Sequence, residues 1–242
     1  DYVLNQFGLD LTDIAMRYFS ADLSDDSAWH DLLGQPTDLD DLYLDTARTY
    51  QLYLPPSYDP AEPAPVVIAL HGRPGTGGGM AYILDMNRVA RENNFIALYP
   101  DGLEMAWNYA RGVPGFWDHG IDDVEFFRLL VDDLAQDLNI DYERLYVTGF
   151  SNGGFMTQRV ACEDAARYAG FAPVGAGLFP EFIDMCEAAE PAPVLYMHGT
   201  EDRSIPWNGI AAENGIVLSM SVPDTIIFWA IHDPVSYTHL RA

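Results

Sequence analysis

The chain has 242 residues, 49% of them hydrophobic and 13% aromatic, enough apolar side chains for one large core and too many for a disordered chain. Its charge is one-sided: 37 acidic residues oppose 12 basic ones, every one of them arginine, for a formal net charge of −25. Such a surface repels phosphate backbones, so nucleic acid is not an expected partner, and the lack of lysine excludes P-loop, Schiff-base and pyridoxal chemistry.

Residues 1–42 hold ten aspartates against one arginine. A short amphipathic stretch around Leu11, Ile14, Ala15 and Tyr18 reads as a helix, and the rest as an acidic, solvated lead-in. The chain starts at Asp1 with neither a basic n-region nor an apolar h-region, which fits a removed signal peptide or a fragment. No apolar run approaches the roughly 20 residues that span a bilayer, so no membrane is expected.

Residues 43–234 form the expected α/β domain. Arg48 to Leu54 alternates, with Tyr50, Leu52 and Leu54 on one face, and reads as an antiparallel edge strand stopped by Pro55 and Pro56. Val66–Leu70, Phe95–Tyr99, Leu145–Val147 and Val194–Met197 are short, continuously apolar runs, the pattern of parallel strands covered by helices on both faces. Val124, Phe127, Val131, Leu134 and Leu138 give one apolar helical stripe, with Asp122 and Asp123 at its start, where negative charge suits the helix dipole. Strands alternating with helices predict a mostly parallel sheet flanked by helices.

The most informative segment is Gly149-Phe150-Ser151-Asn152-Gly153, set between an apolar strand and a helical pattern. Strand, G-x-S-x-G, helix is the setting of a nucleophile elbow, a turn so tight that residues without a Cβ are needed beside the serine. Ser151 is therefore the candidate nucleophile. The strand Val66–Leu70 runs into His71-Gly72-Arg73-Pro74, the loop that supplies one backbone N–H to a developing oxyanion in such an arrangement. Pro74 has no N–H, so Arg73 is the expected donor, with Asn152 as the second. His71 reads as a structural histidine at a strand end. After Val194–Met197, the loop His198-Gly199-Thr200-Glu201-Asp202 places a carboxylate where a triad acid belongs in the order Ser…Asp…His, and Asp202 is preferred to Glu201. Cys162 and Cys186 fit either a disulfide or two buried thiols. No metal or cofactor is expected.

These motifs resemble the polyhydroxybutyrate-depolymerase-type esterases of the α/β-hydrolase superfamily, a group that includes feruloyl and acetylxylan esterases. The matching segments are Leu70-His71-Gly72, Tyr99-Pro100-Asp101-Gly102 with Trp107-Asn108, Asp122-Asp123-Val124, Gly149–Gly154, Ala172-Pro173-Val174, His198–Asp202, and Ser221-Val222-Pro223-Asp224 before Trp229. They occur in the family's order over roughly residues 45–231. The resemblance implies the α/β-hydrolase fold and a secreted, monomeric serine carboxylic-ester hydrolase working through an acyl-enzyme. Its partner would be a small or polymeric ester: a hydroxyalkanoate, a feruloyl ester or an acetyl ester. Ser151 and Asp202 become the nucleophile and acid, and Trp107 and Asn108 would lie near the substrate groove.

The pattern breaks after Asp202. The triad needs a downstream histidine, and only His232 and His239 remain. The octapeptide Val235–Ala242 resembles a translated adapter sequence, so the last strand and the catalytic histidine are expected to be missing. Two alternatives follow: a non-catalytic chain, either a truncated fragment or a hydrolase-like binding protein, and a serine peptidase of the prolyl-oligopeptidase type. Trp107, Tyr109, Phe116 and Trp117, near Pro114, predict an aromatic loop over the sheet's carboxyl edge, whose rings either stack on an aryl acyl group or pack into the core.

Overall fold

The computed structural model describes residues 48–111, 120–187, 190–212 and 217–232. The expected acidic lead-in, Phe116, Trp117, His239 and the final octapeptide lie outside them. Strand β2 (Ala64–Leu70) is central in a five-stranded sheet, because its run is apolar on both faces. Val66, Ile68 and Leu70 enter one core and Val67 and Ala69 the other, following the two-residue period of a strand. The sheet order is β1 (Tyr50–Tyr53), β3 (Ile96–Pro100), β2, β4 (Ile140–Phe150), β5 (Gly170–Val174). β1 pairs antiparallel with β3 and every other pairing is parallel. Tyr50, Leu52 and Leu54 pack together on one face of the edge, as their alternation predicts.

Two helices cover one face. α1 (Gly77–Leu84) starts at Thr76, whose hydroxyl accepts the Gly79 N–H at 3.1 Å, and it is followed by α2 (Met86–Asn93). Met80, Leu84, Met86 and Val89 bury against Val67, Ala69 and Tyr99. α3 (Asp123–Leu134) and α4 (Asn152–Glu163) contribute Phe127, Leu130, Met156 and Val160 to the core on the other face. Asp122 caps α3 by accepting the Glu125 N–H at 3.1 Å. The helix stops at Leu134, one turn short of the predicted stripe. The carbonyls of Asp133 and Leu134 accept from Gln136 and Asp137, tightening the last turn, while Leu138 still packs on the core.

The expected strand Val194–Met197 does lie parallel to β5, but as two separate bridges, Phe171 with Val194 and Val174 with Met197. The cause is Pro173. Phe171 N donates to Pro193 O, Leu195 N to Phe171 O, Met197 N to Pro173 O and Gly175 N to Met197 O, all at 2.8–3.1 Å. Proline has no N–H for the rung between them. Residues 194–197 are also half-buried rather than buried, since they form the sheet's edge.

A short helix α5 (Ile183–Glu187) lies between β5 and that edge segment, and a small antiparallel pair, β6 (Ile210–Ala211) and β7 (Val217–Ser219), comes after it. α6 (Val222–His232) is capped by Ser221, whose Oγ accepts the Asp224 N–H at 3.1 Å and donates to the Asp224 carboxylate at 2.6 Å. Among the described residues no helix is long and apolar enough to cross a membrane.

Candidate active site

Ser151 joins the end of β4 to the start of α4 with φ 53° and ψ −115°, a left-handed conformation that a residue bearing a Cβ rarely adopts. The turn is closed by Ser151 N–H donating to the Val174 carbonyl at 2.9 Å. It also needs its glycines. A Cβ on Gly149 would collide with the Gly153 carbonyl, and one on Gly153 with the carbonyls of Leu70 and His71. Ser151 occupies the N-cap position without spending its side chain on a capping hydrogen bond. Its hydroxyl thus stands at the positive end of α4, beside the N–H groups that begin the helix.

The loop after β2 reaches over this point. A Cβ placed on Gly72 would lie 3.5 Å from Ser151 Cβ, so Arg73, the next residue, belongs to the wall of the same site. The Arg73 side chain is exposed, and its charge partly offsets the rise that burial imposes on the Tyr109 phenol pKa. Tyr109 stacks on Phe155, one turn beyond Ser151, with ring centroids 4.9 Å apart.

Asp202 lies on the loop leaving the edge segment 194–197. One carboxylate oxygen accepts the N–H groups of Ser204 and Ile205 at 2.8 and 3.0 Å, which fixes the side chain. The other is 3.8 Å from His198 Nε2 and in contact range of Gly175, the residue after Val174. Ser151 and Asp202 are therefore both anchored at the carboxyl end of β5. Glu201 is exposed and Asp202 half-buried.

The histidines differ in their freedom. His71 is buried and neutral: Nε2 accepts the Gly102 N–H at 2.9 Å and Nδ1 donates to the Gly72 carbonyl at 2.8 Å, while burial lowers its pKa. His198 donates from Nε2 to the Ile205 carbonyl at 2.8 Å and meets the Tyr196 hydroxyl through Nδ1 at 3.1 Å. It braces the loop that carries Asp202, a role sequence reasoning missed. His232, at the end of α6, stacks on Phe228, and its Nε2 has no hydrogen-bond partner among the described residues.

Two residues expected near the substrate groove turn inward instead. Trp107 is fully buried, packed against His71 and Phe127, with its indole N–H donating to the His71 carbonyl at 2.9 Å. Asn108 is 3% exposed; its N–H donates to Asp123 at 2.6 Å and its amide to the Ile121 carbonyl at 2.9 Å. Neither side chain offers a surface to a ligand, because both complete a buried polar network. At its centre Arg48, also missed, pairs with Asp123 at 2.6 Å and donates to the Asp101 carbonyl. Asp101 in turn accepts from Gly77 N–H and the Thr49 hydroxyl, both at 2.7 Å. The shared motif residues Asp101, Trp107, Asn108 and Asp123 thus brace the floor of the site. Trp229 does the same for α6, its indole N–H donating to Gln158 at 3.1 Å. Cys162 and Cys186 are joined in a disulfide between α4 and α5. Among the described residues no cluster of three His, Cys, Asp or Glu side chains is arranged to hold a metal ion.

The architecture matches solved structures closely enough to place it. An acetyl xylan esterase from Aspergillus awamori superposes with a TM-score of 0.60 over 81% of this chain and 79% of that one, at 16% identity. This chain has the α/β-hydrolase fold. At the level of sequence, the chain is 29% identical over 184 residues to feruloyl esterase C of Emericella nidulans, covering 72% of this chain and 62% of the relative. It is 28% identical over 166 residues to a bifunctional acetylxylan esterase/xylanase of Neocallimastix patriciarum, covering 67% of this chain and 22% of the relative. The chain thus spans less than two thirds of the length of these relatives. No protein-family model matches it.

Proposed function

We propose that this chain carries the nucleophile, the oxyanion donors and the acid of a serine carboxylic-ester hydrolase. The observation that supports this most is Ser151 itself: a non-glycine residue at φ 53° on a strand-to-helix turn, its hydroxyl free of capping and set beside the loop of Gly72 and Arg73. Strain at such a position persists where the surrounding structure over-determines it, as the two flanking glycines do here.

Ser151 Oγ attacks the ester carbonyl, its proton passing to an imidazole, and the N–H groups of Arg73 and Asn152 stabilise the tetrahedral oxyanion. Collapse expels the alcohol and leaves an acyl-serine, which water hydrolyses. Asp202 orients the imidazole with the carboxylate oxygen not taken by Ser204 and Ile205. His71 and His198 are committed to structural hydrogen bonds, so the base is assigned to neither. The esters named for the sequence relatives, feruloyl and acetylxylan, define the substrate class to try first. The disulfide supports an oxidising, extracellular setting.

A second reading has its own support. Among the described residues no side chain hydrogen-bonds Ser151 Oγ, and without a base the rate falls by several powers of ten while the oxyanion hole remains. The 242-residue chain would then bind esters and turn them over near background. A fluorophosphonate probe and p-nitrophenyl acetate separate the two. Covalent labelling that Ser151→Ala abolishes supports the site in either case. Absence of any label on Ser151 removes the ester-hydrolase reading, and turnover at ordinary esterase rates removes the second.

A further inference from the structure

Asn152 and Trp107 hold each other at two points, 45 residues apart in sequence. The Trp107 main-chain N–H donates to Asn152 Oδ1 at 2.6 Å, and Asn152 Nδ2 donates back to the Trp107 carbonyl at 3.2 Å. A side-chain amide thus pairs with a backbone as one strand pairs with another. An asparagine in a helix's first turn more often serves its own helix, bonding to nearby backbone groups.

The clamp continues across the site. From Trp107 the indole N–H reaches the His71 carbonyl at 2.9 Å. The His71 imidazole then accepts the Gly102 N–H and donates to the Gly72 carbonyl, at 2.9 and 2.8 Å. His71 and Gly72 immediately precede Arg73. The circuit closes because the His71 carbonyl also presses on Gly153, the residue after Asn152, where a Cβ would collide with it. Trp107 at the centre is fully buried and cannot swing away.

We infer that the Asn152 side chain is a positioning residue that sets the spacing between the two oxyanion donors, Arg73 N–H and Asn152 N–H, through Trp107 and His71. The inference rests on the ester-hydrolase reading of Ser151. Two donors serve one oxygen only if both stand about 2.7–3.1 Å from it, and a displacement of about 1 Å costs on the order of 100-fold in rate. The nucleophile turn meets the end of β2 through the Leu70–Gly149 pairing and the Gly153 backbone, and the chain through Trp107 and His71 adds a hydrogen-bonded tie from the Asn152 side chain to the loop that carries Arg73.

The test uses the full 242-residue chain and two readouts. One is the second-order rate of Ser151 labelling by a fluorophosphonate, in which an Oγ–P bond forms, fluoride leaves and the serine proton passes to base or solvent. The other is amide hydrogen exchange at residues 72–75 and 102–107. Asn152→Ala is expected to slow labelling by about 10- to 100-fold and to speed exchange in both segments. Trp107→Phe, which keeps the backbone clamp and removes the indole donor, is expected to speed exchange at 72–75 and slow labelling several-fold. Labelling of Asn152→Ala at the wild-type rate overturns the inference and leaves the ester-hydrolase reading intact. So does faster exchange confined to Trp107 with 72–75 unchanged. A wild-type chain that takes no label overturns both the reading and the catalytic purpose of the clamp.

Discussion

Arg48 and Asp123 meet at 2.6 Å with side chains only 6% and 3% exposed. The guanidinium lies 3.7 Å over the Phe126 ring, and the carboxylate's second oxygen takes the Asn108 N–H. This pair fastens the approach to β1, the loop after β3 and the first turn of α3 to one another. Breaking it from one side leaves a buried charge without its partner, which costs about 3–5 kcal/mol. Arg48→Met is therefore expected to lower Tm by roughly 10 °C in a protein of this size, whereas Arg48→Met with Asp123→Leu recovers a large part of the loss. Thermal unfolding of both variants decides it; a single variant that melts within 2–3 °C of wild type shows the pair to be dispensable.

The second prediction concerns backbone strain at Ser151. Ser151 holds φ 53°, where glycine is at ease and alanine is not. Ser151→Gly and Ser151→Ala both remove the hydroxyl, so their difference isolates the backbone. Ser151→Gly is expected to be the more stable by about 1 kcal/mol in urea unfolding, despite glycine's greater unfolded-state entropy. An alanine variant equal to or more stable than the glycine one would mean the turn carries no strain.

His71 supplies a pH dependence with a definite sign. Burial holds its folded pKa below the ordinary value of 6.5, with the nearby Arg48 charge acting the same way and Asp101 opposing. The unfolded chain therefore binds the proton more readily than the folded one. The contribution to stability is complete above pH 6.5 and is lost as the pH falls from there toward the folded pKa. Wild type is expected to lose more stability between pH 7.5 and 5 than His71→Gln, which cannot titrate. Parallel urea titrations at the two pH values measure this, and equal losses in both proteins would refute it.

Much of the fold can be read from local pattern. Continuous apolar runs place β2 and β3, because strands covered on both faces have no polar side to alternate with, while Leu145–Val147 marks only part of β4, whose residues 142–144 are exposed. The elbow is legible because its glycines stand at fixed offsets from Ser151, although only the collision at Gly149 is local and that at Gly153 comes from the end of β2. What stays hidden depends on distant partners. Arg48 looks like any charged residue at a strand's start until Asp123 arrives from 75 residues away. Trp107 sits in a segment rich in aromatic rings and glycine, where a ring over the groove and a ring in the core have the same sequence signature. Only the His71 carbonyl, which receives its indole proton, tells them apart. The early end of α3 is hidden too, since Leu138 packs on the core whether or not the helix extends to it. The interruption beside β5 could have been anticipated, because Pro173 is plain in the sequence and its missing donor has one structural consequence.

That consequence reaches beyond the sheet. The segment bearing the Asp202 loop is fastened to its neighbour at both ends and loose in the middle, like a plank nailed only at its tips. Opening an ordinary edge strand breaks its rungs in turn. Here the central rung is already absent, so either end can separate without breaking a rung that joins it to the other. Ser151 is bolted into the interior between two glycines. Asp202, the candidate acid, rides on an edge segment that lacks its central rung. A single proline thus divides one constellation into a rigid half and a compliant half.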